Sequence, residues 1–439
     1  MNLFKDDLIE KIKEHNTDDE IYLVGGYLRN YFINKSISYD RDIVCIRNSY
    51  SFAKKLADKL NGTFIELDNE NKIYRVVLED KTNYIDISQA LNNNIEQDAF
   101  RRDFTINSIY YDIKNDKILD YTNGINDIKN KIIRTTNLNN ILDDPLRLLR
   151  LYRFYSITNF EIEEELSEFV KNNIEKINSV AKERINYEIM QIFSSKYLVN
   201  TLLKMLEDNV LEYIFPFVKE VKKIPPNSHH HLDLIHHLIE TVNNIRLDKP
   251  LLKLAAFYHD IGKPSTWTIE ESGRHRFIGH DTVGGELVKE ELKKLGFSNK
   301  QINYISKLER YHIYPCSLIN AGEDNKKAKA RFIRKLGDEV PDVIELARAD
   351  RLSAQGEAIT KDMVDLTLNH LENLLEYYAE IKNTFVMTPL LNGEDVMNIL
   401  NIKPSKKVGE ILENLKEMQI AKEITTKKEA LEYIKTLQN

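Results

Sequence analysis

The sequence predicts an α/β head followed by an all-helical remainder, and three observations carry that reading. Five short runs rich in β-branched and aromatic residues crowd the first 90 positions: IYLV (21–24), DIVCI (42–46), TFIEL (63–67), IYRVVLE (73–79) and NYIDIS (83–88), each of strand length and composition. From about Asp144 the apolar residues recur three and four apart instead, in DPLRLLRLYRFYS, ERINYEIMQIF and LVNTLLKMLE, which is the spacing of one helix face. The chain has 439 residues, more than one core commonly fills, so several domains are expected.

The opening MNLFKDDLIEKIKEHN reads as an acidic amphipathic helix and not as an export signal. The paired prolines of IPPNS (224–228) and Thr388-Pro389 end helices. These breaks place a head at 1–138, a helical neck at 139–222, a third domain at 223–385 and a helical segment at 386–439. Apolar residues make up 42% and charged residues 30%, the balance of a folding globular chain. No stretch approaches the roughly 18 uncharged apolar residues a membrane helix needs. Cys45 and Cys316 stand far apart without CxxC pairing, which excludes a disulfide framework or zinc ribbon and fits a reducing cytoplasm.

A net charge of -7 excludes a protein that coats nucleic acid through bulk positive charge, so RNA contact must be local. Arg147, Arg150 and Arg153 form one candidate patch. The run KKAKARFIRK (326–335) forms a second, for which a solvated helix face is the bland and favoured reading.

Chemistry first appears in YLVGGYLRN, where a strand runs into Gly25-Gly26 and then a helix, a geometry that lets backbone approach phosphate. By itself a tight connection is the commoner explanation. Fourteen residues later Asp40 and Asp42 flank Arg41 on a strand, and residues two apart share a face. Two like charges at one place suit a divalent cation, and carboxylates with substrate phosphates suit Mg²⁺. A solvated strand entry is the bland alternative.

The GG turn, YDRDIV, RRDFTINSIYYD (101–112) and DDPLRLLRLYRF (143–154) occur in the order found in class II tRNA nucleotidyltransferases and bacterial poly(A) polymerases, and the chain resembles that family over about residues 20–200. The resemblance implies a nucleotidyltransferase head of the polymerase-β type and an all-α neck. It makes Asp40 and Asp42 the Mg²⁺-binding catalytic carboxylates. Gly25, Gly26 and Arg29 fall in its nucleotide-binding turn, and Arg102, Asp103 and Asn107 in the motif that holds the ribose. Asp144 and Arg147 match the pair that reads the base; three apart on one helix, they would share a face. Arg150 is the further nucleotide ligand. Asp86 is a minor third acidic candidate. Two departures stand out: Asn30 replaces the usual Asp of the GG motif, and Asp143 the usual Glu before the base-reading Asp. The implied activity is addition of CMP and AMP from CTP and ATP to the tRNA 3′ end, with A-adding, CC-adding or poly(A) synthesis as the alternatives.

Nine of the eleven histidines lie between His229 and His312, and imidazole with carboxylate suits Mn, Fe, Ni or Zn. In LLKLAAFYHDIGKP a helix ends on His259-Asp260, and Gly262 is read as its breaker. This string resembles the HD phosphohydrolase superfamily. The resemblance implies an all-α HD domain with His237, His259, Asp260 and Asp350 around one metal, His280 and His312 serving a second, and Lys263 on phosphate. His229, His230 and His231 read as a surface run, His275 as surface, and His236 points about 100° away from His237. A phosphatase or phosphodiesterase whose head only binds nucleotide is the rival of another class. In the tail, Lys403, Lys406 and Lys407 sit at a turn and offer RNA phosphate contact, with solvated lysines the bland reading. The oligomeric state is not legible.

Overall fold

The computed structural model describes residues 6–15, 20–36, 40–321, 325–383 and 389–437, which form two compact units, 1–213 and 214–439.

The first unit opens with α1 (Asp7–His15), β1 (Ile21–Val24), α2 (Gly26–Asn34), β2 (Asp40–Cys45), α3 (Ser49–Lys59), β3 (Thr63–Asp68), β4 (Ile73–Val77), β5 (Tyr84–Gln89), α4 (Ile95–Arg101), β6 (Tyr110–Asp112) and β7 (Lys117–Leu119). The strands join in one sheet ordered β3-β4-β5-β2-β1-β6-β7. β2 and β5 run parallel, with Asp42 level with Asp86, and β1 and β2 antiparallel, with Val24 level with Asp42. β1 and β2 are central, and Leu23, Val24, Val44 and Cys45, which alternate between the two faces, are all buried. β3 lies at the edge and leaves Ile65 and Leu67 exposed. On α3, Phe52, Ala53, Leu56 and Ala57 recur at helical spacing and are buried, covering the sheet as an amphipathic face does. The three-residue strands β6 and β7 are absent from the sequence reading, because so short a run shows no alternation.

The first unit continues through α5 (Gly124–Asn130), β8 (Ile132–Ile133), α6 (Leu138–Asp143), α7 (Leu146–Thr158), β9 (Glu161–Ile162), α8 (Glu164–Asn173), α9 (Lys182–Phe193), α10 (Leu198–Glu207) and the short α11 (Leu211–Ile214). Leu148, Leu149, Leu151 and Tyr152 of α7 are fully buried. Each such side chain contributes about 1.5–3 kcal/mol of burial free energy. Phe154 meets Phe104 edge-on at 5.5 Å, fixing the second half of α7 against the sheet-bearing part. The helix does not begin where its pattern suggests. Asp144 has extended backbone angles and closes α6, and Pro145 then starts α7, since a residue before proline is pushed out of the helical region.

The second unit comprises α12 (Val218–Val221), α13 (Leu234–Asn243), α14 (Pro250–Tyr258), α15 (Lys263–Thr266), β10 (Trp267–Ile269), β11 (His275–Phe277), α16 (His280–Lys294), α17 (Asn299–Tyr311), α18 (Tyr314–Ser317), α19 (Lys326–Leu336), α20 (Val340–Ser353), α21 (Lys361–Asn383), α22 (Gly393–Leu400), α23 (Lys406–Ile420) and α24 (Lys427–Thr436). Pro250 begins α14, where its missing N–H costs nothing. From Leu252 the helix is apolar on almost every side and packs against α13, α17 and α20. The tail helices build a small core of their own from residues such as Val396, Val408, Leu415 and Ile434.

The basic run 326–335 is solvated at Lys326, Lys327, Arg331 and Lys335 but is also partly paired with the tail. Arg334 of α19 pairs with Glu413 at 2.9 Å and Glu417 at 2.8 Å on α23, and Lys327 pairs with Glu423 at 3.3 Å. Lys403, Lys406 and Lys407 are exposed. Cys45 is buried in the sheet and Cys316 is partly buried, and none of the described helices is long and apolar enough to cross a membrane.

Candidate functional site

In the first unit, strand geometry sets the starting point. Asp42 on β2 and Asp86 on β5 are register neighbours in parallel strands, so their carboxylates share one face of the sheet. Arg75 on β4, opposite Asp86, donates to it through Nε at 2.7 Å and Nη2 at 2.8 Å. Gly25 is explained by Asp42. Its φ is +80°, and a Cβ there would stand 2.7 Å from Asp42 Oδ2. Glycine is therefore needed twice over, for backbone conformation and for the approach of the carboxylate. Gly26 has room, with Arg29 Nη2 at 3.5 Å the nearest atom. The backbone of Asp40 begins β2 level with Tyr84; its side chain lies outside the described residues.

Asp42 and Asp86 line a cavity of about 1270 Å³ whose other walls include Arg102, Asp103, Asp144 and Arg147. Hard carboxylate donors beside this space fit a magnesium ion. Behind the wall runs a buried relay. Arg29 on α2 donates from Nη1 to Asn107 Oδ1 at 2.7 Å, and Asn107 Nδ2 donates to Asp103 Oδ1 at 3.1 Å. Asp103 Oδ2 accepts from Arg150 Nε at 3.0 Å and Nη2 at 2.6 Å. Burial opposes the charge of Asp103, but Arg150 and Asn107 hold its carboxyl well below the usual range. Arg29 is lowered to about 10 by burial and by the nearby Arg153.

Arg102 donates from Nε to Tyr110 Oη at 2.7 Å, and Tyr110 donates to the buried Asp98 at 2.7 Å. Asp144 and Arg147 do not share one helix face. Because the chain breaks at Pro145, Asp144 accepts from Arg184 Nη2 at 2.8 Å, while Arg147 donates from Nη1 to the carbonyls of Asn140 (2.9 Å) and Arg101 (3.0 Å). Both still line the same cavity.

In the second unit, helix ends converge. His259 closes α14, His280 opens α16, His312 closes α17, Lys263 opens α15, and His237 and Asp350 lie within α13 and α20. His259 Nδ1 stands 2.8 Å from the carbonyl of Ala256 and His280 Nδ1 2.7 Å from that of Phe277, and His312 Nδ1 meets the carbonyl of Glu309. A carbonyl can only accept, so each Nδ1 carries a proton and each Nε2 is turned inward, where loss of any proton of its own would offer a lone pair to a metal. His237 and His259 Nε2 stand 3.2 and 3.5 Å from Asp350 Oδ1, and 3.6 and 3.2 Å from Asp260 Oδ2. His280 and His312 Nε2 stand 3.3 and 3.6 Å from the other oxygen, Asp260 Oδ1. That buried oxygen accepts no well-formed hydrogen bond among the described residues.

Buried, converging lone pairs from histidine and aspartate fit divalent transition metals, with the Asp260 oxygens facing two ligand groups. In the metal-free chain burial opposes protonation of His259, but Asp260 and Asp350 outweigh it and hold the ring up at about 10. Lys263 Nζ lies 2.5 Å from Asp260 Oδ2. Gly262 is not a helix breaker by conformation, since its φ is -77°. It permits contact: a Cβ there would meet the His280 carbonyl oxygen at 2.1 Å.

Residues 21–134 match the family described as Poly A polymerase head domain, residues 159–222 the probable RNA and SrmB-binding site of polymerase A, and residues 228–355 the HD domain. An A-adding tRNA nucleotidyltransferase of Deinococcus radiodurans is 28% identical over 94% of each chain, and a CC-adding tRNA nucleotidyltransferase of Thermus thermophilus 26% identical over 95% of this chain and 94% of that one. The chain belongs to the tRNA nucleotidyltransferase and poly(A) polymerase family. It carries an HD domain. Among solved structures, a CCA-adding enzyme with ATP superposes with a TM-score of 0.65 at 20% identity, over 99% of this chain and 95% of that one. The Thermotoga maritima CCA-adding enzyme complexed with tRNA superposes with a TM-score of 0.62 at 20% identity, over 98% and 94%. These likenesses establish the fold, an α/β head with helical domains after it.

Set against the family's motifs, Asn30 keeps a polar role, its Oδ1 accepting from Arg29 at 3.1 and 3.3 Å. Asp143 lines the cavity beside Asp144. Sequence reasoning missed Glu188 and Arg184, both on α9. The buried Glu188 pairs with Arg153 at 3.0 Å and lies 3.6 Å from Arg150, and burial pushes its carboxyl up. The spacing of four in ERINYE was the available signal. It also missed His230. This residue turns inward, its ring 4.4 Å from that of His237 and its Nε2 3.5 Å from Lys263 Nζ, and burial and Lys263 push its pKa down to about 2. His275 is not simply surface either; it packs on Trp267 at 5.5 Å.

Proposed function

We propose that this enzyme transfers CMP and AMP from CTP and ATP to the 3′ end of tRNA, building or repairing the CCA terminus in the cytoplasm. The observation that carries the reading is the cavity bounded by Asp42 and Asp86 on one side and by Asp144, Arg147 and Arg150 on the other. A carboxylate floor faces a wall of guanidinium donors, which suits a nucleoside triphosphate. In this reading Asp40 and Asp42 hold Mg²⁺, which when bound neutralises phosphate charge and polarises the reacting oxygens. Gly25 keeps the Asp42 carboxylate against the turn before α2, and Gly26 and Arg29 complete that turn. Arg102, Asp103 and Asn107 hold the ribose. Asp144 offers acceptors and Arg147 donors to the base edge, replacing a template, and Arg150 faces the triphosphate. The RNA 3′-hydroxyl bonds to the α-phosphorus as the bond to pyrophosphate breaks.

A narrower product is the second reading, since relatives similar over nearly the whole chain include an A-adding enzyme and CC-adding enzymes. In the HD domain, His237, His259, Asp260 and Asp350 hold one Mn, Ni, Fe or Zn ion, His280 and His312 with Asp260 a second, and Lys263 steadies phosphate for hydrolysis of a phosphomonoester or cyclic phosphodiester.

The test is incorporation of labelled CTP and ATP into tRNA transcripts ending before CCA, after C and after CC. Ordered addition that stops at CCA supports the main reading. ATP-only extension of the CC-ended transcript assigns A addition, C addition that stops at CC assigns a CC-adding enzyme, and unlimited A addition a poly(A) polymerase. No incorporation leaves the head a binding module and makes the HD domain the catalytic one.

A further inference from the structure

Glu309 is a buried carboxyl without an explanation in either site. Its exposure is 0%, and no described group donates a hydrogen bond to either oxygen. An unmatched buried carboxyl costs several kcal/mol and is kept only where something answers it.

The surroundings are built to admit this group. Gly284 and Gly285 of α16 face it. A Cβ on Gly284 would stand 1.8 Å from Glu309 Oε1, and one on Gly285 3.3 Å from Oε2. Gly284 is one helical turn beyond His280 on α16, and Glu309 one turn before His312 on α17. The two histidines bring their Nε2 atoms to 3.4 Å of each other. The carboxyl therefore lies one layer behind the pair that faces Asp260 Oδ1. Glu309 also anchors that pair, since its carbonyl receives His312 Nδ1–H.

We propose that Glu309 is a positioning residue for the second metal subsite, its carboxyl accepting a hydrogen bond from a water ligated to the ion held by His280 and His312. The proposal rests on the reading of this cluster as a two-metal site. That subsite has two neutral imidazoles and a share of Asp260, so an outer carboxylate supplies charge and orientation that its direct ligands lack. The first subsite, with Asp350 added, has less need of one.

The test uses the full-length protein stripped with chelator and titrated with Mn²⁺, reading stoichiometry and both affinities by calorimetry. Coupling of the two ions is read by electron paramagnetic resonance. Wild type should bind two ions in the HD domain, identified as those retained when Asp42→Asn removes the ion of the head. Glu309→Gln, which keeps shape, and Glu309→Met, which removes the polar group, should weaken the second site by about 10–100-fold and leave the first unchanged. Loss of the coupled signal at limiting Mn²⁺ should accompany this, as it should in His280→Ala. Unchanged second-site affinity in both Glu309 variants overturns the proposal, and so does an equal loss at both sites. A wild type that binds fewer than two ions removes the two-metal reading itself, a result distinguishable because it appears before any substitution.

Discussion

Arg41 donates to Asp6 Oδ2 through Nε at 3.0 Å and through Nη2 at 2.8 Å, and both side chains are buried. The same oxygen accepts Tyr27 Oη at 3.0 Å, and the other accepts the amides of Leu8 and Ile9 at the start of α1. Arg41 stands between Asp40 and Asp42 on β2, so strand alternation turns it to the opposite face. Helix α1 is thereby tied to the back of the strand that carries the candidate catalytic carboxylates. Asp6→Ala removes the carboxylate that pairs with this buried guanidinium and should cost about 3–5 kcal/mol. Urea unfolding measures this, and a loss below about 1 kcal/mol would show that the pair contributes little.

Asp42→Asn preserves size and strand packing but removes a charge at the cavity floor. Nucleotide incorporation should fall by about a thousandfold or more, equal to about 4 kcal/mol of barrier. Circular dichroism and Mn²⁺ binding by the HD domain should be unchanged. Activity within tenfold of wild type would remove Asp42 from the chemical step.

Glu291 on α16 provides a pH test. Burial, against the pull of Lys294, raises its carboxyl from 4.5 to about 7. Between those values the folded chain holds the proton more tightly than the unfolded one, so stability falls as pH rises through the window and stays reduced above it. Glu291→Gln should raise the melting temperature at pH 8 and leave it unchanged near pH 4. An equal shift at both pH values would mean that the carboxyl is not the cause.

Arg334 bridges Glu413 and Glu417. Arg334→Glu sets like charges against α23 and should weaken the tail's docking on α19 by about 1 kcal/mol, the scale of partly exposed pairs. Limited proteolysis should then cleave the segment 389–437 faster than in wild type. An unaltered cleavage rate would show that apolar contact alone holds the tail.

Much of the architecture was written in one-dimensional periodicity. The five strand runs near residues 21–88 appear as β1 to β5, and the change to helical spacing near Asp144 marks the helical part. Local pattern reports such elements because each buries one face at a fixed repeat. It failed where that repeat was too short, at β6 and β7, and where a single proline outweighed it, at Asp144-Pro145.

The sequence by itself determined which chemical groups are present and their order along the chain: an Asp-x-Asp strand, an Arg-rich helix, and a histidine-dense region around His259-Asp260. Tertiary structure alone decided what those groups face. It set Asp86 beside Asp42 across parallel strands, turned His230 inward beside Lys263, and matched α19 to the acids of α23. It also left Glu309 unanswered behind the His280 and His312 pair. The physical reason is that charge pairing, desolvation and metal ligation depend on distances of a few ångströms between residues remote in sequence, and periodicity along the chain carries no information about them.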